Sequence, residues 1–274
     1  NKKQRVSGLW TWKRRRVMEL TVLSVTSRGI VTELTESGKY YSKDSYDIYI
    51  NGEKYLTTDK VITSVNGLKP DTAYEVSAVY QGNTYGPVKV KTNYEYVTLN
   101  VREFGAVGDG EHDDTNAIQC AIMACPKDSR VLVPEGTFRI RSVFLKSDLT
   151  LELAKGATLL AFTDRENFPI LPGLIQSYDE KDEYNLGSWE GNPLDSFSAI
   201  ICGINVQNVV ITGEGTIDGN TTHENWWKNC KIRNIAWRPN LFFINHCENV
   251  VMQGITVQNS PCWTIHPYFS NHLK

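Results

Sequence analysis

An adjacent pair of carboxylates is the first feature of this sequence that could carry chemistry. Asp113 and Asp114 stand side by side, and two carboxyl groups can divide the work of a general acid and a general base. Thr115 and an apolar stripe over Ala117–Met123 with helical spacing follow the pair. Asp and Thr satisfy the free N–H groups at a helix start, and carboxylates suit its dipole. We therefore assign the pair to a helix start rather than to catalysis.

Aromatic and charged side chains concentrate in two segments, residues 164–198 and 220–240, that interrupt a pattern of short apolar runs. The second segment contains Trp226, Trp227, Lys228, Lys231, Arg233, Trp237 and Arg238. Aromatic faces can stack on sugar rings, and Arg or Lys can pair with a carboxylate. For this segment, ligand binding and simple packing over the strands both stay open. Packing is favoured for the first segment, which contains Tyr178, Asp179, Glu180, Asp182, Glu183, Tyr184 and Trp189.

The cysteines do not have the spacing of a metal site. Six occur, at positions 120, 125, 202, 230, 247 and 262, and none forms a Cys-x-x-Cys pair, which argues against a zinc knuckle. A chain of 274 residues can bury a core without a disulfide framework. We predict buried free thiols, no metal and no cofactor.

Charge and hydropathy exclude two classes of partner. The formal net charge of −2 is too small to attract nucleic acid or an anionic membrane. No apolar run reaches the roughly 18 residues that a membrane-spanning helix needs. The basic stretch Lys13–Arg16 precedes the strand-like residues Val17–Thr26 instead of the apolar core of a signal peptide. Because no export signal is visible, we expect a cytoplasmic location, with secretion as the alternative.

The N-terminal third predicts a β-sandwich, residues 18–93, after an extension of residues 1–17 that has no role in the fold. About seven short β-branched runs lie between Gly, Asn and Pro breaks, which is typical of a sandwich. Asn51-Gly52 separates two of these runs and predicts a hairpin. The phrase Leu68-Lys69-Pro70-Asp71-Thr72-Ala73-Tyr74 resembles the corner of fibronectin type III domains, in which the Tyr hydroxyl bonds back to nearby backbone.

The remaining residues, 94–274, form the second predicted domain. Near its start, Phe104-Gly105-Ala106-Val107-Gly108-Asp109-Gly110 precedes Asp113-Asp114-Thr115. This segment resembles the opening of pectin-lyase-like proteins. The resemblance implies a right-handed parallel β-helix whose N-terminal end is covered by a helix.

Internal repeats agree with a coil. Asn208-Val209-Val210-Ile211 recurs as Asn249-Val250-Val251-Met252, and Asn249 is echoed by Asn271 after about 22 residues, the length of one turn of a parallel β-helix. We interpret the recurrent Asn as a structural side-chain ladder, because Asn tolerates left-handed backbone. The predicted fold class is all-β: a fibronectin type III-like β-sandwich, then an incomplete right-handed parallel β-helix with an N-terminal capping helix.

Two further phrases narrow the family. They are Gly213-Glu214-Gly215-Thr216-Ile217-Asp218-Gly219 and, after Arg238-Pro239, Ser260-Pro261-Cys262-Trp263-Thr264-Ile265-His266-Pro267. Together they resemble glycoside hydrolase family 28, the polygalacturonases, over residues 101–274. The resemblance implies inverting hydrolysis of α-1,4-linked galacturonan during pectin degradation, and a sandwich ahead of the coil is similar to the exo-acting bacterial members. It also implies galacturonan or a pectin oligosaccharide as partner, with His266, Trp263 and Arg238 as substrate-binding residues.

The family's catalytic motifs are missing from their expected context. The sequence contains no Asn-x-Asp, Gly-His-Gly or Arg-Ile-Lys, and its only adjacent Asp pair is the one at the helix start. In the family these motifs follow the Ser-Pro-x-Trp phrase, so we expect the catalytic residues beyond Lys274 and predict that this chain alone is inactive. An exposed final turn of the coil predicts end-to-end self-association. A polysaccharide lyase and a non-catalytic glycan-binding β-helix are the alternatives.

Overall fold

The computed structural model describes residues 3–6, 9–12, 18–35, 40–176 and 183–274. By its contacts the chain divides into two compact units, residues 1–94 and residues 95–274. The basic stretch Lys13–Arg16 and the residues Tyr178, Asp179, Glu180 and Asp182 of the first inserted segment lie outside the described residues.

The first unit consists of antiparallel strands. In chain order they are β1 (Lys3–Val6), β2 (Leu9–Trp12), β3 (Leu20–Val25), β4 (Ile30–Leu34), β5 (Tyr41–Ile50), β6 (Glu53–Lys60), β7 (Ile62–Val65), β8 (Ala73–Tyr80) and β9 (Asn83–Lys91). The residues predicted to be an extension thus include a hairpin, because β1 pairs with β2. The orders β3-β4-β7 and β6-β5-β8-β9 describe two further sheets within the described residues, and Ile30, Val65, Ile48 and Val76 share one core cluster.

Local chemistry explains the turns of this unit. Asn51 and Gly52 both have positive φ and join β5 to β6, as the Asn-Gly signal predicts. The Tyr74 hydroxyl accepts a hydrogen bond from the Lys69 backbone N–H at 2.9 Å, which fixes the corner before β8. The relationship to fibronectin type III domains stays a prediction.

The second unit is a coil of short strands that begins with a helix. Its elements are β10 (Thr98–Asn100), a 3-10 turn (Val101–Phe104), β11 (Asp109–Asp113), α1 (Thr115–Ala124), β12 (Arg130–Val133), β13 (Gly136–Ile140), β14 (Val143–Phe144), β15 (Leu149–Leu153) and β16 (Ala157–Ala161). After a second 3-10 turn (Arg165–Asn167), short pairs follow: β17 (Ile170–Leu171), β18 (Ile175–Gln176), β19 (Glu183–Tyr184), β20 (Ser188–Trp189), β21 (Asn192–Pro193) and β22 (Ser196–Phe197). The coil resumes with β23 (Ile201–Ile204), β24 (Gln207–Gly213), β25 (Thr216–Asp218), β26 (Phe242–Asn245), β27 (Glu248–Met252), β28 (Thr256–Gln258), β29 (Ile265–Tyr268) and β30 (Asn271–Leu273).

These strands stack in parallel along the coil, in register. Among the described residues, sheet A has the order β10-β12-β15-β24-β27-β30, sheet B has β11-β13-β16-β25-β28 and sheet C has β14-β23-β26-β29. Alternate residues such as Val131, Leu151, Leu159, Ile211 and Phe242 point inward and fill the core. Because an apolar strand cannot bury its face alone, each turn depends on its neighbours. The predicted parallel β-helix is confirmed.

The Asn ladder is present, with one correction to its register. The Asn249 side-chain amide donates to Asn208, and Asn208 donates to Asp148, each at 2.9 Å. These three residues have left-handed backbone, which Asn and Asp tolerate. The predicted echo of Asn249 by Asn271 is wrong by one residue: Glu248 pairs with Asn271, so His272 occupies the next ladder position. The recurrence of Asn in the sequence does not determine which residues of two strands face each other, whereas the pairing of the strands does.

The helix α1 packs on the first turn of the coil. Ile118, Ala121 and Ile122 are fully buried, and the Gln119 side chain bonds both backbone groups of Phe144. Asp113 accepts hydrogen bonds from the Thr115 backbone and hydroxyl. These contacts agree with a structural assignment for Asp113.

Asp114 also has a structural role, although it does not cap the helix with its side chain. It is fully buried and accepts the backbone N–H groups of Val107 and Gly108 at 2.7 and 3.0 Å. A carboxylate that holds a tight loop in this way is not free for acid–base catalysis.

Breaking the ion cluster of Arg130 should destabilise the coil. The Arg130 guanidinium lies 2.5 Å from Glu152 and 3.4 Å from Glu95, and all three side chains are largely buried. Arg130→Met leaves both buried carboxylates without a cationic partner, so we expect a loss of about 3 kcal/mol in the free energy of unfolding. Denaturant unfolding measures it, with Arg233→Met as control, because the exposed Arg233–Asp195 pair should contribute less than about 1 kcal/mol. Equal losses in the two variants would contradict this prediction.

Candidate functional site

The outer face of sheet C is covered by the described residues of the first inserted segment, 164–176 and 183–198, which we call the covering segment. Ile201 and Phe242 point into the coil, whereas Cys202 and Phe243 point outward and form a separate buried cluster with Ala199. Leu171 of the covering segment packs on this cluster. Strands β17 and β22 pair within the segment, and the side-chain amide of Asn245 donates to the backbone carbonyl of Asn185. The insertion is therefore folded onto the coil.

Trp226 anchors the second inserted segment to the first. Its side chain is fully buried, and its ring meets the rings of Phe168 and Phe197 edge-on at 5.4 and 5.5 Å. The Arg165 guanidinium lies 4.7 Å from the centre of the Trp226 ring and donates to the carbonyls of Asn225 and Trp226. An indole enclosed in this way cannot stack on a ligand. The packing interpretation holds for this residue.

Three tryptophan rings from the two inserted segments lie around the Arg238 guanidinium. Trp227 is 42% exposed, and its indole N–H donates to the Ser260 carbonyl at 3.2 Å. The Arg238 guanidinium lies 5.2 Å from the ring centres of both Trp227 and Trp189, and Trp237 stacks on Trp189 at 4.5 Å. We call Trp189, Trp227, Trp237 and Arg238 the aromatic wall.

Arg238 has spare hydrogen-bonding capacity. It donates to the Pro261 carbonyl, while its Nε is buried and has no hydrogen-bond partner among the described residues. Within the described part of the chain, no carboxylate lies within ion-pair distance of Arg238. The Arg238 charge also acts on Arg165. Burial is the main cause that lowers the pKa of the Arg165 guanidinium, and repulsion by Arg238 is the second. The wall therefore contains a cation that has no ion-pair partner among the described residues.

Trp263 follows Ser260 and Pro261, whose carbonyls accept from Trp227 and Arg238 of the wall, and much of its ring is accessible. Its side chain is 48% exposed, and its backbone carbonyl accepts from Leu241 N–H at 3.1 Å. The ring centre is 4.8 Å from that of His266. An exposed indole held by a neighbouring ring can offer a flat apolar face to a ligand.

His266 lies beneath this surface and is 4% exposed. Its Nδ1 is 3.1 Å from the side-chain amide nitrogen of Asn240, and its ring contacts Phe243 at 5.2 Å. Burial lowers the pKa of His266, so the neutral imidazole is favoured at neutral pH. With Nδ1 accepting from Asn240, the ring proton lies on Nε2. These contacts make His266 a support for Trp263.

The structure brings the three predicted binding residues into one neighbourhood. Arg238 bonds the carbonyl of Pro261, two residues before Trp263, and His266 packs against Trp263. Sequence reasoning missed Trp189, which lies far away in the chain yet contacts Arg238. Its one signal was an aromatic residue in an insertion, which does not identify a partner.

The described residues contain neither a metal-binding cluster nor a membrane-spanning helix. In the described ranges, no group of three or more His, Cys, Asp and Glu side chains could hold a metal ion. No helix there is both long and apolar enough to cross a membrane. The six cysteines are free. Cys120 is exposed and Cys230 and Cys262 are partly exposed, so the prediction of buried thiols is wrong for these three.

The adjacent residues Trp226 and Trp227 should respond differently to the same substitution. Trp226→Ala removes a fully buried ring and should cost about 3–5 kcal/mol in the free energy of unfolding. Trp227→Ala, the matched control, removes a partly exposed ring and should cost about 1 kcal/mol or less. Thermal and denaturant unfolding of both variants measure the difference. If Trp226→Ala were as stable as Trp227→Ala, the anchoring of the second segment would be refuted.

Comparisons with known proteins agree with this architecture. Over 170 residues the chain is 35% identical to an exo-poly-alpha-D-galacturonosidase of Dickeya chrysanthemi, covering 57% of this chain and 26% of that protein. Over 178 residues it is 31% identical to a probable polygalacturonase of Vitis vinifera, covering 62% of this chain and 34% of that protein. The chain thus spans about a quarter to a third of the length of these relatives.

A solved structure shows the same fold over nearly the whole chain. The Family 28 exopolygalacturonase of Yersinia enterocolitica superposes with a TM-score of 0.63 at 23% identity, over 93% of this chain and 57% of that one. These similarities confirm the predicted right-handed parallel β-helix and the resemblance to polygalacturonases. The family model described as rhamnogalacturonase A/epimerase, pectate lyase-like matches residues 98–271, well over half of the chain. The chain therefore belongs to this pectate lyase-like family of rhamnogalacturonases and epimerases.

Proposed function

We propose that the protein hydrolyses α-1,4-linked galacturonan from a chain end, and that the aromatic wall and Trp263 bind a galacturonyl unit. The observation that carries this proposal is the Arg238 cation, which lies 5.2 Å from the centres of two indole rings and has no ion-pair partner among the described residues. The similarity to an exo-poly-alpha-D-galacturonosidase and to a probable polygalacturonase supports the choice of substrate.

Arg238 suits the carboxylate of a uronate. A guanidinium can give two parallel N–H bonds to one carboxylate, and such charged bonds are roughly twice as strong as neutral ones. The indole faces of Trp189 and Trp227 contact the side chain. Arg238 is only partly exposed to water, which strengthens its attraction for an anion. A cation that already had a protein partner would gain less from the same ligand.

Trp263 suits the ring of the sugar. Its half-exposed indole stands two residues after Pro261, whose carbonyl Arg238 bonds, and the buried His266 packs against it. We assign Trp263 the stacking contact and His266 a positioning role, because a side chain that is 4% exposed cannot meet a ligand directly.

The covering segment supports attack at a chain end. It lies over Cys202 and Phe243 and bonds Asn245 through Asn185, so it covers the outer face of sheet C through β26. Trp263 lies just beyond this cover, ahead of β29. A long polymer cannot run across a covered face, whereas a chain end can stop against the cover.

Catalysis is not assigned to residues of this chain. Inverting hydrolysis needs an acid and a base about 6.5–9.5 Å apart on either side of the scissile bond, and the 274 residues contain none of the family's catalytic motifs. We expect this chain to bind galacturonan oligosaccharides without hydrolysing them. End-to-end self-association of the coil stays a prediction.

Oligogalacturonate binding tests the proposed site. Titrating trigalacturonate into the chain should quench Trp fluorescence, and Arg238→Met should weaken binding by at least about tenfold, since a charged hydrogen bond contributes about 1.5–3 kcal/mol. Arg28→Met, in the first unit, is the matched control and should bind as the parent does. Circular dichroism checks that each variant is folded.

Other outcomes would select other functions. Undiminished binding by Arg238→Met and by Trp263→Ala would refute the assigned site. Release of unsaturated products by a longer form of the protein would indicate a lyase. Binding without turnover by that longer form would indicate a glycan-binding protein.

A further inference from the structure

A cavity is lined by residues of both inserted segments. Its volume is about 710 Å³. It is lined by residues 163–166 and, from the second segment, by Glu224, Asn225, Lys228, Asn229, Ile232, Arg233, Asn234 and Ile235. The volume lies in the roughly 300–1,000 Å³ range of pockets that hold small ligands. It shares no lining residue with the aromatic wall or Trp263. The cavity is thus a distinct feature of the inserted segments.

The charges around this cavity balance. Three cationic side chains and three carboxylates line it: Arg165, Lys228, Arg233, Asp164, Glu166 and Glu224. Arg165 is occupied with backbone carbonyls, Asp164 with Arg141, and Arg233 faces Asp195 at 3.7 Å. A balanced lining gives no net attraction for an anion. In this respect the cavity differs from the surroundings of Arg238.

The remaining polar groups offer both donors and acceptors. The side chains of Lys228, Asn229 and Asn234 are exposed and can donate, and those of Glu166 and Glu224 are exposed and can accept. Each hydroxyl of a sugar both donates and accepts a hydrogen bond, so a polyol can use the two kinds together. A uronate carboxylate only accepts, and it would meet the carboxylates of the lining.

The apolar part of the cavity suits the C–H face of a sugar ring. Ile232 and Ile235 line the cavity and are 69% and 55% exposed. Two exposed isoleucines beside unpaired polar groups match the composition of ligand pockets, which combine apolar contact with a few polar contacts.

We propose that this cavity is an accessory site for a neutral oligosaccharide, separate from the galacturonate-binding residues. The balanced charges exclude a purely electrostatic ligand, the mixed donors and acceptors fit vicinal hydroxyls, and the isoleucines fit a ring face. The proposal does not depend on the hydrolytic function.

Methyl NMR tests the proposal at the cavity itself. We expect a neutral trisaccharide of galactose to shift the Ile232 and Ile235 methyl signals. Its affinity should change by less than about twofold between roughly 0.05 and 0.5 M salt, because no net charge is involved. Asn234→Leu should weaken binding by about fivefold, the effect of one lost hydrogen bond. Asn116→Leu, which changes an exposed Asn on α1, is the matched control.

Lys228→Gln provides a second variant in case Asn234→Leu does not fold, and it should weaken binding to a similar degree. The absence of methyl shifts with the neutral trisaccharide would overturn the proposal. It would also be overturned if trigalacturonate shifted the same methyls more strongly, with an affinity that falls steeply with salt. The effect of Arg238→Met on trigalacturonate binding reports on the aromatic wall separately, so failure at one site does not affect the result at the other.

Discussion

The burial of one indole ring organises the functional side of this molecule. Trp226 is enclosed by Phe168 and Phe197 of the covering segment, and Arg165 lies over its ring. A buried ring of this size contributes several kcal/mol through the water that it excludes and the contacts that it makes. Because Trp226 belongs to one insertion and both Phe residues belong to the other, neither insertion can move without disturbing its partner. Trp227, the next residue, is thereby fixed against Ser260.

The coil supplies the rigid frame that this arrangement needs. Parallel strands in register, with side-chain ladders at the turns, hold successive turns together. Register sets the positions of outward-pointing residues, and Cys202, Phe243 and His266 are in line across β23, β26 and β29. The covering segment occupies the first two of these positions. The open surface therefore begins beside Trp263.

Sequence patterns predicted the frame better than the site. Period-two apolar runs and the recurrence of Asn208 as Asn249 depend on local backbone geometry, which the sequence expresses directly. The insertions have no period, so their packing depends on contacts between residues distant in the chain. Nothing in the sequence distinguishes the buried Trp226 from the exposed Trp227, and nothing pairs Trp189 with Arg238. The burial of His266 likewise results from Asn240 and Phe243, which only the coil brings beside it.

Thiol labelling of the native chain tests most directly whether the covering segment lies on sheet C. Cys202 points outward from its strand into a buried cluster on which Leu171 of the covering segment packs, and burial raises the pKa of its thiol to about 12. Cys120 on α1 is exposed and serves as the internal reference. Peptide mass spectrometry after brief alkylation should find Cys120 modified and Cys202 unmodified until the chain is denatured. Modification of Cys202 as fast as Cys120 in the folded chain would contradict the account.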